Sequence, residues 1–307
     1  MRAPRHPSLP VSLLAAIAAG AAACSLLAAP TGEQCTTTSD CAARGAKFAN
    51  TQCQDKVCVA KPAANDAGAD SGPVDPRWAC LGKVRLETPK KSTLKVSVPL
   101  RDLTTRGPVV QMSCRLCAKV DPDCTTPLAG PVSPSPDGIV SFDVSANFDG
   151  YIEARAPIPD GGTLPAYVPS LVFFNPPLVD DTVYIAIPLV SYTVLATLAQ
   201  QTGGNTIDPA LGGALFEAHD CKGAATDGVT ATIDNSIDTT RRFFFVNGLP
   251  NEASKGTDAT GYGGFINVPP GVRTLTGDRV DGKGRLGTMS VLVRKSYLSY
   301  SVLPPLP

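Results

Sequence analysis

The sequence predicts an all-β protein: tandem antiparallel β-sandwiches behind a small disulfide-rich segment and a linker. Three observations point there. The 307 residues include 28 glycines and 29 prolines, nearly one residue in five against about 12% in average usage, which favours short strands joined by turns over a helical bundle. Hydrophobic residues make up 43% of the chain, enough for a real core. From Trp78 onward, apolar and polar residues alternate in short runs broken by turn residues, the pattern of half-buried strands. At about 100–200 residues per domain, the length suits two domains.

The chain opens with Arg2, Arg5 and His6 and no acid, then a largely apolar run from Val11 to Ala23. As a helix this run spans about 20 Å, short of the roughly 30 Å hydrocarbon core of a bilayer. A basic start, a short apolar run and small residues at its end read as a signal peptide over 1–23. An uncleaved Ala-rich anchor reaching Ala29 is the plainer alternative. Cys24 follows Ala21-Ala22-Ala23. This junction resembles the bacterial lipobox, with Ala21 where that motif prefers Leu; there, small residues precede a cysteine that is lipidated and becomes the new N-terminus. The resemblance implies a membrane partner through a lipid anchor at Cys24, with 24–34 as a tether. Ordinary signal-peptidase cleavage at an Ala-x-Ala site is the competing reading. Several acyl chains would hold the protein far better than one, each buried CH₂ contributing about 0.8 kcal/mol. The expected location is outside the cytoplasm, at the outer membrane or cell surface, with periplasmic or secreted as alternatives.

The chain has 10 cysteines, which in an exported protein read as disulfides first. Cys35, Cys41, Cys53 and Cys58 crowd a segment, 35–58, too short for its own core. Two bridges are expected there, each worth about 2–4 kcal/mol, and three connectivities stay open. Zinc is disfavoured, because the spacing is not C-x₂-C and no histidine lies near. The set resembles small four-cysteine knots found behind signal peptides in some bacterial envelope proteins. Farther on, strand periodicity puts Val110, Met112, Cys114 and Leu116 on one face, and Ser113, Arg115 and Cys117 on the other. Cys117 is expected to point away from the core and close the Asp121-Pro122-Asp123 turn onto Cys124. Cys114 is expected to point inward and pair with Cys80. That leaves Cys221 as a buried free thiol.

Residues 59–77 are rich in Ala, Asp, Gly and Pro without apolar periodicity and read as a disordered linker. The Asp spacing in DAGAD is read as solubility rather than a calcium site. A first sandwich is expected over 78–189, with strands near 94–100, 109–118, 138–144, 151–156, 170–174 and 182–187. Residues 190–204 hold a short helix, VSYTVLATLAQQ, ended by Thr202-Gly203-Gly204. A second sandwich is expected over 205–307. The spacing from Gly138 to Phe142 matches that from Gly261 to Phe265, which raises a diverged repeat.

Within the second region, Gly213-Ala-Leu215 opens a strand and Gly228-Val-Thr-Ala231 opens another. Thr257-Asp258-Ala-Thr-Gly261 leads to Phe265, and Pro269-Pro270-Gly271 makes a turn. These motifs resemble the carboxypeptidase-regulatory-like, or transthyretin-like, β-sandwich domains, well over 208–303 and faintly over 78–157. The resemblance implies seven-stranded, mostly antiparallel sandwiches that are usually accessory and not peptidases. In it, Asp258 caps the turn, Gly261 takes positive φ, and Phe265 feeds the core.

Chemistry is sparse. Lys+Arg and Asp+Glu are 27 each, so the basic excess of a nucleic-acid binder is missing. Only 2 histidines occur; no catalytic set, metal site or cofactor is expected. His219-Asp220-Cys221 is the one grouping suggesting a thiol hydrolase, but a side chain two positions along a strand lies about 7 Å away. Trp78, Tyr151, Tyr167, Tyr262 and Tyr297 are candidate stacking faces for a carbohydrate-binding module. The leading expectation is a non-catalytic envelope lipoprotein acting as a spacer or protein-binding module, with envelope proteins or polysaccharide as partners.

Overall fold

The computed structural model describes residues 35–45, 48, 51–54, 56–60, 75–158, 165–202 and 206–307. The expected signal peptide, Cys24, the tether and most of the 59–77 linker lie outside them. The chain divides into two compact units, 1–73 and 74–307.

In the first unit, helix α1 (Thr38–Ala43) precedes a hairpin of β1 (Thr51–Gln54) and β2 (Val57–Ala60). Asp40 turns its carboxylate back to the Thr36 and Thr37 N–H groups, each at 2.8 Å, satisfying donors that the helix start leaves free. Cys35 bonds to Cys53 and Cys41 to Cys58, which selects one of the three open connectivities. β2 runs two residues into the stretch expected as linker.

The second unit begins with a 3-10 turn, Pro76–Trp78. Its centre is a nine-stranded sheet in the order β14 (Leu249–Asn251), β13 (Arg241–Val246), β15 (Tyr262–Val268), β11 (Gly212–Ala218), β18 (Leu298–Leu303), β8 (Ser170–Phe173), β7 (Gly150–Arg155), β4 (Ser113–Ala118) and β5 (Ala129–Val132). A second sheet has β3 (Thr93–Asp102) between β6 (Ile139–Ser145) on one side and β9 (Thr182–Val183) and β10 (Ile187–Leu189) on the other. A third sheet is β12 (Val229–Ile233), β16 (Gly271–Arg279) and β17 (Arg285–Val293).

The strands explain how these sheets stack. On β8, Val172 packs in one core with Val96, Val98 and Phe142, from β3 and β6. Its neighbours Leu171 and Phe173 pack in another core with Val229, Leu275 and Met289, from β12, β16 and β17. Successive strand residues point to opposite faces, so the central sheet is covered on both. The result is three layers. Helix α2 (Tyr192–Gln201) adds Leu195, Leu198 and Ala199 to the first core; the 3,4 spacing sets them on one face. Ser191 caps its start, accepting from Val194 N–H at 3.2 Å.

The sequence expectation of two sandwiches is met by sandwich architecture, but the stretch 190–204 does not separate two units. β18, the last strand of the second region, pairs in parallel with β8 of the first, Leu298 opposite Ser170 through Ser301 opposite Phe173. It also pairs in parallel with β11. Parallel strands at a sheet centre are buried on both faces, and every residue of β18 and of β8 is buried. The Gly-to-Phe spacing match marks no equivalent places: Phe142 lies in a flanking sheet and Phe265 in the central one.

Two cysteine expectations are corrected. Cys80 bonds to Cys221, and among the described residues Cys114 is the free, buried thiol. The cause is the second covered face. Trp78 is buried in the same core as Cys117 and Cys124, and Arg77 accepts a hydrogen bond from Cys221 N–H at 2.9 Å. Cys80 is thereby set beside Cys221. Cys114 packs in the opposite core, so the central sheet lies between it and Cys80. Cys117 bonds to Cys124, yet points into a core rather than away from one.

At the turn motif, Asp258 accepts from the N–H groups of Thr260 at 2.9 Å and Asn247 at 3.0 Å. Gly261 has φ +71° and Gly271 φ +124°, while Phe265 is buried.

Candidate functional site

Leu215 and Glu217 share one face of β11, and His219 follows on the same side. Glu217 lies opposite Tyr262 on β15. The Glu217 carboxylate gathers the polar groups here. His219 Nε2 is 2.9 Å from Oε1, and the Tyr300 hydroxyl donates to Oε2 at 2.9 Å. Burial pushes the Tyr262 hydroxyl up to about 12 and the Tyr300 hydroxyl well above its ordinary value; the nearby Glu217 charge adds to both. Both tyrosines therefore stay protonated donors at neutral pH.

Around His219 a cleft of about 340 Å³ is walled by Asn175, Pro177, Asp180, Asp181 and Tyr184. No thiol joins it, because Cys221 is held in the disulfide to Cys80. The two-position gap that puts a cysteine out of reach is crossed by the longer side chain of Glu217. Sequence reasoning missed Glu217; its signal was an acid inside an otherwise apolar strand, LFEA.

The five aromatic residues singled out in the sequence do not form a platform. Trp78 is buried with the guanidinium groups of Arg77 and Arg279 at 5.9 and 5.5 Å from its ring. Tyr151 is fully buried. Tyr167 donates its hydroxyl to Asp102 at 3.1 Å. Arg106 covers Tyr262 at 5.3 Å. Tyr297 has Arg155 at 5.5 Å and Arg294 at 5.3 Å.

Between α2 and the central sheet lies a cavity of about 450 Å³, lined by Val168, Tyr192, Leu195, Ile207, Ile266 and Leu298. At its rim the Asn267 side chain is already engaged, donating to Thr206 O at 3.0 Å and accepting from Asp208 N–H at 3.0 Å. The walls are mainly apolar, and the Ser296 hydroxyl that also lines the cavity is engaged, donating to Pro209 O at 2.8 Å.

Sulfur atoms of Cys35, Cys41 and Cys58 cluster within metal-binding distance, as do those of Cys117 and Cys124 with the Glu153 carboxylate. Each of these sulfurs is held in a disulfide, Cys35 with Cys53, Cys41 with Cys58 and Cys117 with Cys124, whereas a metal is bound by thiolate.

No family model matches the chain. No curated protein matches it. Among solved structures, the chain is similar to the Bacillus anthracis TIE protein at 9% identity, over 70% of this chain and 34% of that one, with a TM-score of 0.22. It is similar to the shaft pilin SpaA of Lactobacillus rhamnosus GG at 10% identity, over 70% and 100% of the two chains, with a TM-score of 0.22. For the minor pilin of Streptococcus agalactiae the values are 13% identity, 70% and 98% coverage and a TM-score of 0.21. The chain thus spans about a third of the length of the first of these. Scores at this level do not establish a shared fold, so function is read from this chain's own geometry.

Proposed function

We propose that the protein is a non-catalytic module of the cell envelope, exported and anchored through a lipid on Cys24, that serves as a spacer or binds a protein partner. One observation carries the reading: the groups that suggested other chemistry are engaged inside the fold. Cys221 is in a disulfide, His219 is on Glu217, Trp78, Tyr151, Tyr262 and Tyr297 are buried or covered by guanidinium groups, and the half-buried Tyr167 is tied to Asp102 through its hydroxyl. Four disulfides support an oxidising compartment, in keeping with the leader-like N-terminus. Residues 208–303 are read as similar to carboxypeptidase-regulatory-like modules, a reading supported by the Asp258 turn bonds and the positive φ of Gly261.

Two assays test this. Metabolic labelling with a palmitate analogue should mark the wild type and miss Cys24→Ala; equal labelling of both contradicts the anchor. Retention on immobilised starch, chitin and cellulose should be nil. Retention abolished by Tyr297→Ala would contradict the binding class.

A further inference from the structure

On β4 and β7, Arg115 stands directly opposite Glu153, and Arg155 follows Glu153 by two positions on the same face. Arg294, from the corner between β17 and β18, reaches the same carboxylate. Arg115 Nε donates to Glu153 Oε2 at 2.9 Å, with its Nη2 on the same oxygen. Arg155 Nη2 and Arg294 Nη1 each donate to Oε1 at 2.6 Å. Arg294 Nη2 donates to the Tyr151 hydroxyl, which donates onward to Asp121 O at 2.6 Å.

The charges do not balance. Three guanidinium groups share one carboxylate, and no other carboxylate among the described residues lies within ion-pairing distance of any of them. Glu153 itself is sealed, at 0% exposed. Arg115 and Arg155 keep 26% and 47% of their side chains in solvent. Burial would raise the Glu153 carboxyl, but the hydrogen bonds of Arg115 and Arg155 outweigh that and hold it below its ordinary value. Glu153 is thus a fixed counter-ion. Arg155 has used one of its donors, and the Arg294 Nε is buried with no partner. Donors and positive charge are both in excess, and an arginine fork matches the two oxygens of a carboxylate.

We propose that Arg155 and Arg115, backed by Arg294, form an oxyanion site that takes a side-chain carboxylate of an acidic partner segment. A protein carboxylate is favoured over an acidic sugar because Tyr297, the aromatic ring beside the site, already carries the guanidinium groups of Arg155 and Arg294 at 5.5 and 5.3 Å, with which a stacking sugar ring would have to compete. The site deepens the binding half of the function proposed above and rests on it.

The test is fluorescence anisotropy of a labelled octaglutamate peptide with the full chain at low and physiological salt. Arg155→Gln removes the exposed arm and leaves Glu153 paired to Arg115 and Arg294; Arg85→Gln removes an exposed arginine outside the cluster. The wild type and Arg85→Gln should bind alike. Arg155→Gln should bind about tenfold more weakly, the loss of one charge-assisted hydrogen bond, with unchanged circular dichroism. Equal binding by wild type and Arg155→Gln overturns the site, as does equal weakening by Arg85→Gln. Tighter Arg155-dependent binding of polygalacturonate than of octaglutamate, at equal carboxylate, overturns the assignment to a protein segment. No peptide binding sinks the site alone; the spacer reading then stands or falls on the labelling and polysaccharide assays.

Discussion

Cys80 and Cys221 are joined by a disulfide across 141 positions of sequence. The bond fastens the segment that enters the second unit to the end of β11, a strand in the middle of the central sheet. Trp78 seats the same segment in the core, and Cys80 N–H approaches Cys221 Sγ at 3.0 Å. Tension on the segment that enters this unit is therefore passed to the end of β11 through a covalent bond.

Removing that bond should be costly. Closing so long a loop restricts the unfolded chain strongly, so the paired Cys80→Ser, Cys221→Ser variant should lose about 2–5 kcal/mol of stability. Urea denaturation followed by tryptophan fluorescence reads this directly, since Trp78 sits beside the bond. An unchanged midpoint would show that the staple contributes nothing.

Thiol chemistry gives a second outcome. Burial pushes the Cys114 thiol up to about 12, so it is a poor nucleophile in the folded protein. Among Cys35 to Cys221, native-state alkylation should modify none. Alkylation after denaturation without reductant should modify Cys114 alone, read by peptide mass spectrometry. A modified Cys221 would contradict the pairing.

Glu153 predicts a pH dependence with a definite sign. Its native value is depressed, so its contribution is fully present above the unfolded glutamate value of about 4.3 and is lost as pH falls through the lower native value. Glu153→Gln should flatten the acid side of the stability curve relative to wild type. At neutral pH the variant leaves three guanidinium groups without their counter-ion and should cost about 3–5 kcal/mol. Thermal melts from pH 7 to pH 3 measure both. Parallel curves for the two proteins would refute the assignment.

Two turn glycines should differ. Both take left-handed backbone, Gly228 at φ +76° and Gly261 at φ +71°. A Cβ on Gly228 meets nothing, whereas one on Gly261 would sit 2.6 Å from the Ala218 carbonyl oxygen. Gly228→Ala should cost about 1–2 kcal/mol from backbone conformation alone. Gly261→Ala adds the clash with a fixed strand and should cost clearly more. Equal midpoints in urea would count against the close approach at Gly261.

Much of the fold was legible because flanking strands keep a clean alternation: Leu94, Val96, Val98 and Leu100 on β3 are buried while Lys95 is exposed. The central strands were legible as strands but not as central. In β13, Phe243, Phe244 and Phe245 are all buried because opposite faces each meet a core, and a continuous apolar run does not say which strand lies beside it. The β18–β8 pairing joins residues about 130 positions apart, and no local pattern encodes it. The Cys80 pairing was hidden by the second covered face, which seats Trp78 in the core of Cys117 and Cys124 and sets Cys80 beside Cys221 rather than Cys114. The arginine cluster was hidden for the same reason: Arg115 and Glu153 look like solvent-face residues until the second layer is known.

The shared central sheet is tested most directly by native-state hydrogen exchange of the full chain in low urea. Amides of Leu298–Leu303 and Ser170–Phe173 should exchange in one slowest class, because β18 and β8 are hydrogen-bonded neighbours and should open together with the whole unit. Exchange of Leu298–Leu303 with the second region only, while Ser170–Phe173 opens separately with the first, would contradict it and restore two independent sandwiches.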